Sequence, residues 1–144
     1  MEKIPLDVRY EIWSNFYEYR VVYFATAVDN QPRVRPLTMV PLDDELWILT
    51  GTKDAKMQEL NKNPNVQVSM AVEKDEHTGS VRFTGKVEVI KNMETKKDIA
   101  ERVDYFKEYW DTPADPNFTL LKMDFHEVEY MRPGEIIAKK YSLK

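Results

Sequence analysis

The stretch Ser80-Val81-Arg82-Phe83-Thr84-Gly85-Lys86-Val87-Glu88-Val89-Ile90 sets the fold class. Val81, Phe83, Val87 and Val89 alternate with Arg82, Thr84, Lys86 and Glu88. Side chains on a strand point to opposite faces in turn, so this is a strand with one buried and one wet face. Working outward, Val21 to Val28 is a β-rich apolar run that suits a strand buried on both sides. Asp29-Asn30 is a turn signal, and Arg33 to Val40 reads as the next strand, with Arg33, Arg35, Leu37 and Met39 on one face. Asp43-Asp44 turns the chain again into Glu45–Thr50. Val66–Val72 and Phe118–Tyr130 complete six strands. In the last, Leu121, Met123 and Phe125 share a parity that Val128 and Tyr130 do not, which predicts a bulge or bend near His126.

Three helices are expected: Pro5–Tyr19, a short one over Asp54–Lys62 stopped by Asn63-Pro64, and a long one over Glu94–Tyr109. The last carries Ile99, Val103, Phe106 and Trp110 at helical spacing. A doubly wound parallel sheet would need a crossover helix between most strand pairs. The pattern instead predicts a mainly β fold: a small six-stranded antiparallel barrel with flanking α-helices, as one domain over 1–144.

Composition narrows the chemistry. The 144 residues contain no cysteine, which removes disulfides, thiolate metal sites and a cysteine nucleophile. His77 and His126 are the sole imidazoles, so no metal site is expected. Both read as surface or loop residues. The net charge of −4 argues against broad nucleic-acid binding. No apolar run reaches the ~18–20 residues that span a bilayer, and the first residues lack an apolar signal core. A cytoplasmic protein without membrane partners is the expectation.

Two segments carry chemistry. Thr50-Gly51-Thr52-Lys53-Asp54-Ala55-Lys56 joins a strand to a helix start and has the make-up of a phosphate site. Gly51 permits close backbone approach, Thr50 and Thr52 offer hydroxyls, and Lys53 and Lys56 offer charge. The helix N-terminus adds free N–H groups, with Asp54 expected to cap it near Lys56. Arg33-Val34-Arg35-Pro36-Leu37-Thr38 is the second segment. Two arginines on one strand face are more often solvated or ion-paired than ligand-binding.

In this order the segments resemble the FMN-binding split barrels of the pyridoxamine 5′-phosphate oxidase-like superfamily, and more closely its general stress protein branch. The resemblance runs through FATAVDNQPRVRPLTMV, ELWILTGTKDAKMQELNKNPNVQVSM, SVRFTGKVEVI and WDTPADPNFTLLKMDFHEVEYM. It implies a six-stranded antiparallel split β-barrel with Greek-key character and flanking α-helices, and a flavoprotein that holds FMN non-covalently, with a stress-related role as a flavin-dependent oxidoreductase. By the same resemblance Lys56 is the phosphate lysine, with Thr50, Gly51, Thr52 and Lys53 lining the ribityl-phosphate. Arg33, Val34, Arg35 and Pro36 lie beside the ring, where Arg35 or Arg33 is near the pyrimidine end. The resemblance also implies a homodimer with FMN at the interface. Trp110 is a candidate contact across it, with Trp47, Trp110 and Phe118 as exposed interface aromatics. No catalytic side chain is assigned, because the cofactor carries the redox chemistry. The alternatives are a non-enzymatic flavin-binding or sensor domain, and a deazaflavin- or haem-binding member of the fold. The chain departs from the oxidase proper in carrying Asp54-Ala55-Lys56 for Ser-Arg-Lys, and in lacking its Arg-rich C-terminal motif. Efficient oxidation of pyridoxamine phosphate is therefore not expected.

Overall fold

Three two-residue hairpins organise the chain, and each places both turn residues at positive φ. They are Asp29-Asn30 (φ 51° and 66°), Asp43-Asp44 (58° and 58°) and Asp75-Glu76 (52° and 65°). This is type I′ geometry, whose twist matches that of the strands it joins. Asp and Asn tolerate the left-handed region better than other non-glycine residues. The computed structural model describes residues 1–144. The hairpins connect β1 (Arg20–Val28) to β2 (Gln31–Leu42), β2 to β3 (Glu45–Gly51), and β4 (Asn65–Lys74) to β5 (His77–Ile90). β6 (Phe118–Met131) and β7 (Lys139–Ser142) complete an antiparallel sheet of order β3-β2-β1-β4-β5-β6-β7. A further β3–β6 pairing closes six of the strands into a ring.

The predicted irregularity in the last strand is present. Thr84 pairs with Glu127 and Gly85 with Phe125, so His126 is the extra residue that resets parity between Phe125 and Val128. Gly85 is required opposite it. A Cβ there would stand 2.2 Å from the Asp124 carbonyl oxygen. The His126 carbonyl accepts from the Leu143 N–H at 2.9 Å, which ties the bulge to the C-terminal segment.

Inside the ring, Phe24, Ile48, Val68, Phe83 and Leu121 form the main core, with Val8 and Ile12 of α1 (Leu6–Trp13) packed into it. A second core forms on the outer side of β3 and β6, where Trp47, Leu49, Phe118 and Leu120 meet Ile99, Val103 and Phe106. The long helix expected over Glu94–Tyr109 is two helices, α3 (Met93–Arg102) and α4 (Phe106–Tyr109). Val103 turns extended at the break (φ −101°, ψ 111°), so that both it and Phe106 are buried. The Asp104 N–H donates to the Tyr19 hydroxyl at 3.2 Å, an acceptor outside the helix. Likewise α1 stops at Trp13 rather than Tyr19. Ser14 and Asn15 side chains donate back to the Glu11 and Ile12 carbonyls and satisfy the helix end. No helix is long and apolar enough to cross a membrane.

β2 and β3 do not stay paired. Their ladder holds only Val40–Trp47, Pro41–Leu46 and Leu42–Glu45. The closing pair of a two-residue hairpin exchanges both backbone hydrogen bonds, and bonded pairs recur every second residue. Leu42–Glu45 and Val40–Trp47 are then bonded pairs, and the next two would be Thr38–Leu49 and Pro36–Gly51. Pro36 has no N–H to give. The strands part beyond Val40, β3 remains on β6, and a cleft opens between β2 and β3.

Candidate functional site: a cleft between two parted strands

The cleft encloses about 490 Å³. Leu37 and Thr38 of β2 form one side, and Ile48 to Gly51 of β3 the other. Lys56 also lines it, and Tyr105, Tyr109 and Trp110 form an aromatic wall. The volume falls in the usual range for small-molecule sites, and so does the mix of apolar walls with a few fixed polar groups. The same hairpin alternation leaves the backbone N–H and C=O of Thr38 turned away from β1, toward the cleft.

Lys56 is the unusual residue. It belongs to the first turn of α2 (Ala55–Lys62), the short helix expected here, and it is 8% exposed. A lysine is rarely buried without partners. Its Nζ donates to Thr50 Oγ1 at 2.6 Å and stands 2.9 Å from Asp54 Oδ1. Asp54 caps α2 as expected: the Lys56 N–H donates to Asp54 Oδ1 at 3.0 Å. Partial burial pushes the Asp54 carboxyl up. The hydrogen bonds from Lys56, with the charges of Lys56 and Arg35, outweigh this and hold it below the usual carboxylate value.

The aromatic wall is a stack of edges. Tyr19 meets Tyr105 at 5.5 Å, Tyr105 meets Tyr109 at 6.2 Å, and Tyr109 meets Trp110 at 5.6 Å between ring centroids. The Trp110 indole donates to the Asn117 carbonyl at 3.0 Å, and its ring packs against Phe106 and Phe118, which fixes its plane. Burial, aided by nearby Tyr19, Tyr109 and Asp104, pushes the Tyr105 hydroxyl up to about 12, so it stays a neutral donor at physiological pH.

Among the residues singled out from sequence, the cleft brings together Thr50, Gly51, Lys56 and Trp110. The others lie elsewhere in this structure. Thr52 bonds Thr119, hydroxyl to hydroxyl, at 2.8 Å, and Lys53 is exposed. Val34 and Pro36 are exposed on the outer face of β2. Arg35 is bound to the Thr26 hydroxyl at 3.1 Å and ion-paired with Glu59 of α2; Arg33 Nε lies 3.8 Å from the same carboxylate. Hydrogen bonds from Thr26 and Arg35 outweigh some desolvation and hold Glu59 below its ordinary value. The two arginines thus fasten α2 to β2 through Glu59, a partner the strand pattern could not reveal. Tyr105 and Tyr109 also went unforeseen, since an unbroken helix would have carried them elsewhere. Trp47 and Phe118, expected as exposed interface aromatics, are 5% and 2% exposed, because α3 and α4 cover them in the second core. His77 is exposed at the start of β5, and neither histidine lines the cleft.

Comparison with known proteins agrees with this architecture. The chain is 22% identical over 130 residues to General stress protein 26 of Bacillus subtilis (strain 168), covering 90% of this chain and 91% of that protein. The crystal structure of the General Stress Protein 26 from Bacillus anthracis str. Sterne superposes with a TM-score of 0.71 at 18% identity, over 91% of this chain and 98% of that one. A heme binding protein from Mycobacterium smegmatis shares the fold at a TM-score of 0.70 and 15% identity, over 85% of this chain and 52% of that one. The pyridoxamine 5′-phosphate oxidase family pattern matches residues 13–132, and the chain belongs to that family, as a split barrel akin to general stress protein 26.

Proposed function

We propose that the cleft binds FMN and that the protein works as a flavin-dependent oxidoreductase in a homodimer. The observation that carries this reading is the buried Lys56 ammonium beside Thr50, in a cleft also lined by Tyr105, Tyr109 and Trp110. Such a site suits a ligand with an anionic end and a flat apolar body. Lys56, Thr50 and the α2 N-terminus would hold the phosphate. The backbone of Thr38 would meet the polar edge of the ring, and Trp110 with Tyr109 would cover its apolar part. Bound FMN would supply reversible two-electron chemistry. The chain's own residues bind it, orient it and exclude water from it. Haem is the alternative ligand: neither histidine lines the cleft, so a haem iron there would have to take Tyr105 or Tyr109 as its axial ligand.

Support for a second copy comes from the outer face of the sheet. Val21, Tyr23 and Val34 are 64%, 57% and 67% exposed. Register places them on one face with Ala25 and Pro36 of the β1–β2 ladder, beside Gln67, Ser69 and Ala71 of β4. None of these positions is charged; the charged residues of the same face begin at Glu73 of β4 and at Arg82 of β5, opposite Ser69. A contiguous uncharged patch with exposed apolar groups is the usual mark of an interface.

The first test is the visible spectrum of freshly purified protein, with mass spectrometry of the released ligand; flavin bands and the mass of FMN are expected. Lys56→Ala should then weaken FMN by roughly 10- to 100-fold, from the ~1.5–3 kcal/mol of a charge-assisted hydrogen bond. Riboflavin, which lacks the phosphate, should be little affected. Equal FMN affinity in parent and variant would move the phosphate away from Lys56. Turnover with NADH or NADPH and an electron acceptor separates an enzyme from a flavin-binding sensor.

A further inference from the structure

The lysine of the cleft already has an anionic partner. Asp54 Oδ1 accepts the Lys56 N–H at 3.0 Å and stands 2.9 Å from Lys56 Nζ. One carboxylate oxygen therefore occupies both of the positive features that would hold a ligand phosphate: a first-turn N–H and the ammonium. The two partners differ in freedom. The Lys56 side chain is 9% exposed and further tied to Thr50, whereas the Asp54 side chain is 49% exposed. Lysine is fixed, and the aspartate is the group able to yield. The next nearest cations do not compensate, since Arg33 and Arg35 are committed to Glu59 and Lys53 is exposed to solvent.

We propose that Asp54 is a specificity-determining residue: an internal competitor for the ligand's anionic end that lowers the preference of the cleft for phosphorylated over unphosphorylated flavin. The inference rests on the flavin reading above. A phosphate dianion must displace the carboxylate from Lys56 or sit against its charge, and either outcome weakens binding. A phosphate-free ligand meets neither cost, because it leaves the Asp54–Lys56 pair in place. The selectivity ratio, rather than overall affinity, is what Asp54 sets.

The test compares dissociation constants of FMN and riboflavin by flavin fluorescence and calorimetry in the parent, in Asp54→Ser, in Lys56→Met and in Asp54→Ser/Lys56→Met. Serine is as good an N-cap as aspartate, so α2 keeps its start; matching thermal unfolding checks this. The expected result is a rise of at least tenfold in the preference for FMN over riboflavin in Asp54→Ser, with riboflavin affinity unchanged. The rise should vanish when Asp54→Ser/Lys56→Met is compared with Lys56→Met alone, since it acts through Lys56. An unchanged or smaller preference in Asp54→Ser overturns the proposal and leaves flavin binding intact. So does an equal shift for both ligands, or a rise that persists without Lys56. Failure of every form to bind either flavin overturns this proposal together with the flavin reading.

Discussion

Replacing Tyr23 with alanine tests the uncharged sheet face as the dimer contact. A fully covered tyrosine buries about 200 Å². With 57% of Tyr23 exposed in the single chain, contact with a partner would remove roughly 110 Å² of it from water. At about 25 cal/mol per Å² this gives some 2.5–3 kcal/mol, reduced to about 2 kcal/mol because the hydroxyl is polar and alanine still covers part of the site. A two-fold interface contains the residue twice, so the dimer loses about 4 kcal/mol. Dissociation should rise by roughly a thousandfold. Because Tyr23 points away from the core, the fold of the single chain should be nearly unaffected. Sedimentation equilibrium over nanomolar to micromolar protein measures the constant, and thermal unfolding at low concentration checks the fold. Tyr17→Ala provides the control. Tyr17 is 79% exposed, lies outside both the cleft lining and this sheet face, and should leave dimerisation unchanged. A monomeric parent, or a Tyr23→Ala dimer within threefold of the parent, would refute the assignment of this face.

Gly85→Ala should destabilise the fold by about 3 kcal/mol or more, because the added carbon meets the Asp124 carbonyl oxygen at 2.2 Å and the Phe125 Cα at 2.6 Å; urea unfolding measures it, and a loss under 1 kcal/mol would mean the bulge can shift. Glu76→Gly should stabilise by about 1 kcal/mol, since Glu76 holds φ 65° in the β4–β5 turn and glycine bears that conformation without strain; an unchanged melting temperature would contradict it. The pH dependence follows from Glu59, whose native value is held below its ordinary 4.5. Its contribution is complete above about pH 4.5 and is lost as pH falls through the lower native value, when the Thr26 and Arg35 contacts release it. Glu59→Gln should therefore be less stable than the parent at pH 7 and lose less between pH 6 and 3 in parallel acid titrations.

Different parts of the architecture left different traces in the sequence. The β5 strand, the capped start of α2 and the bulge at His126 follow from parity and capping, which are local rules, and the structure keeps them. β7 was not foreseen. Its residues Lys139-Lys140-Tyr141-Ser142 bury only Tyr141, so there is no alternation to read, and the strand exists because β6 extends past β3 and offers an edge. The break at Val103 was equally hidden, since Ile99, Val103 and Phe106 fit helical spacing whether or not the helix is continuous. At the site, Lys56, its Asp54 cap and Thr50 were legible because they lie within seven residues. The Arg35–Glu59 pairing joins a strand to a helix 24 residues away, and no spacing rule reaches that far.

One residue connects the two levels. A β2 strand that offered an N–H at position 36 could pair with Gly51 of β3 and narrow the far end of the space where the cleft lies. Pro36 withholds that donor at the position where it is needed. The other prolines of the strand do no such harm. Pro32 falls on the same edge but beyond the end of β3, and Pro41 pairs with Leu46 at the closed end, with its nitrogen turned to the β1 side past the first β1 residue, Arg20. Alternation along a two-residue hairpin thus puts Pro36 on the β3-facing edge, where it bars pairing with Gly51 after the ladder has already ended at Val40–Trp47. The parting leaves backbone groups of Thr38 facing Thr50 and Lys56 across the opening. The turn that sets the register therefore aims both the Thr38 backbone groups and the donor-less Pro36 at the gap in the barrel wall.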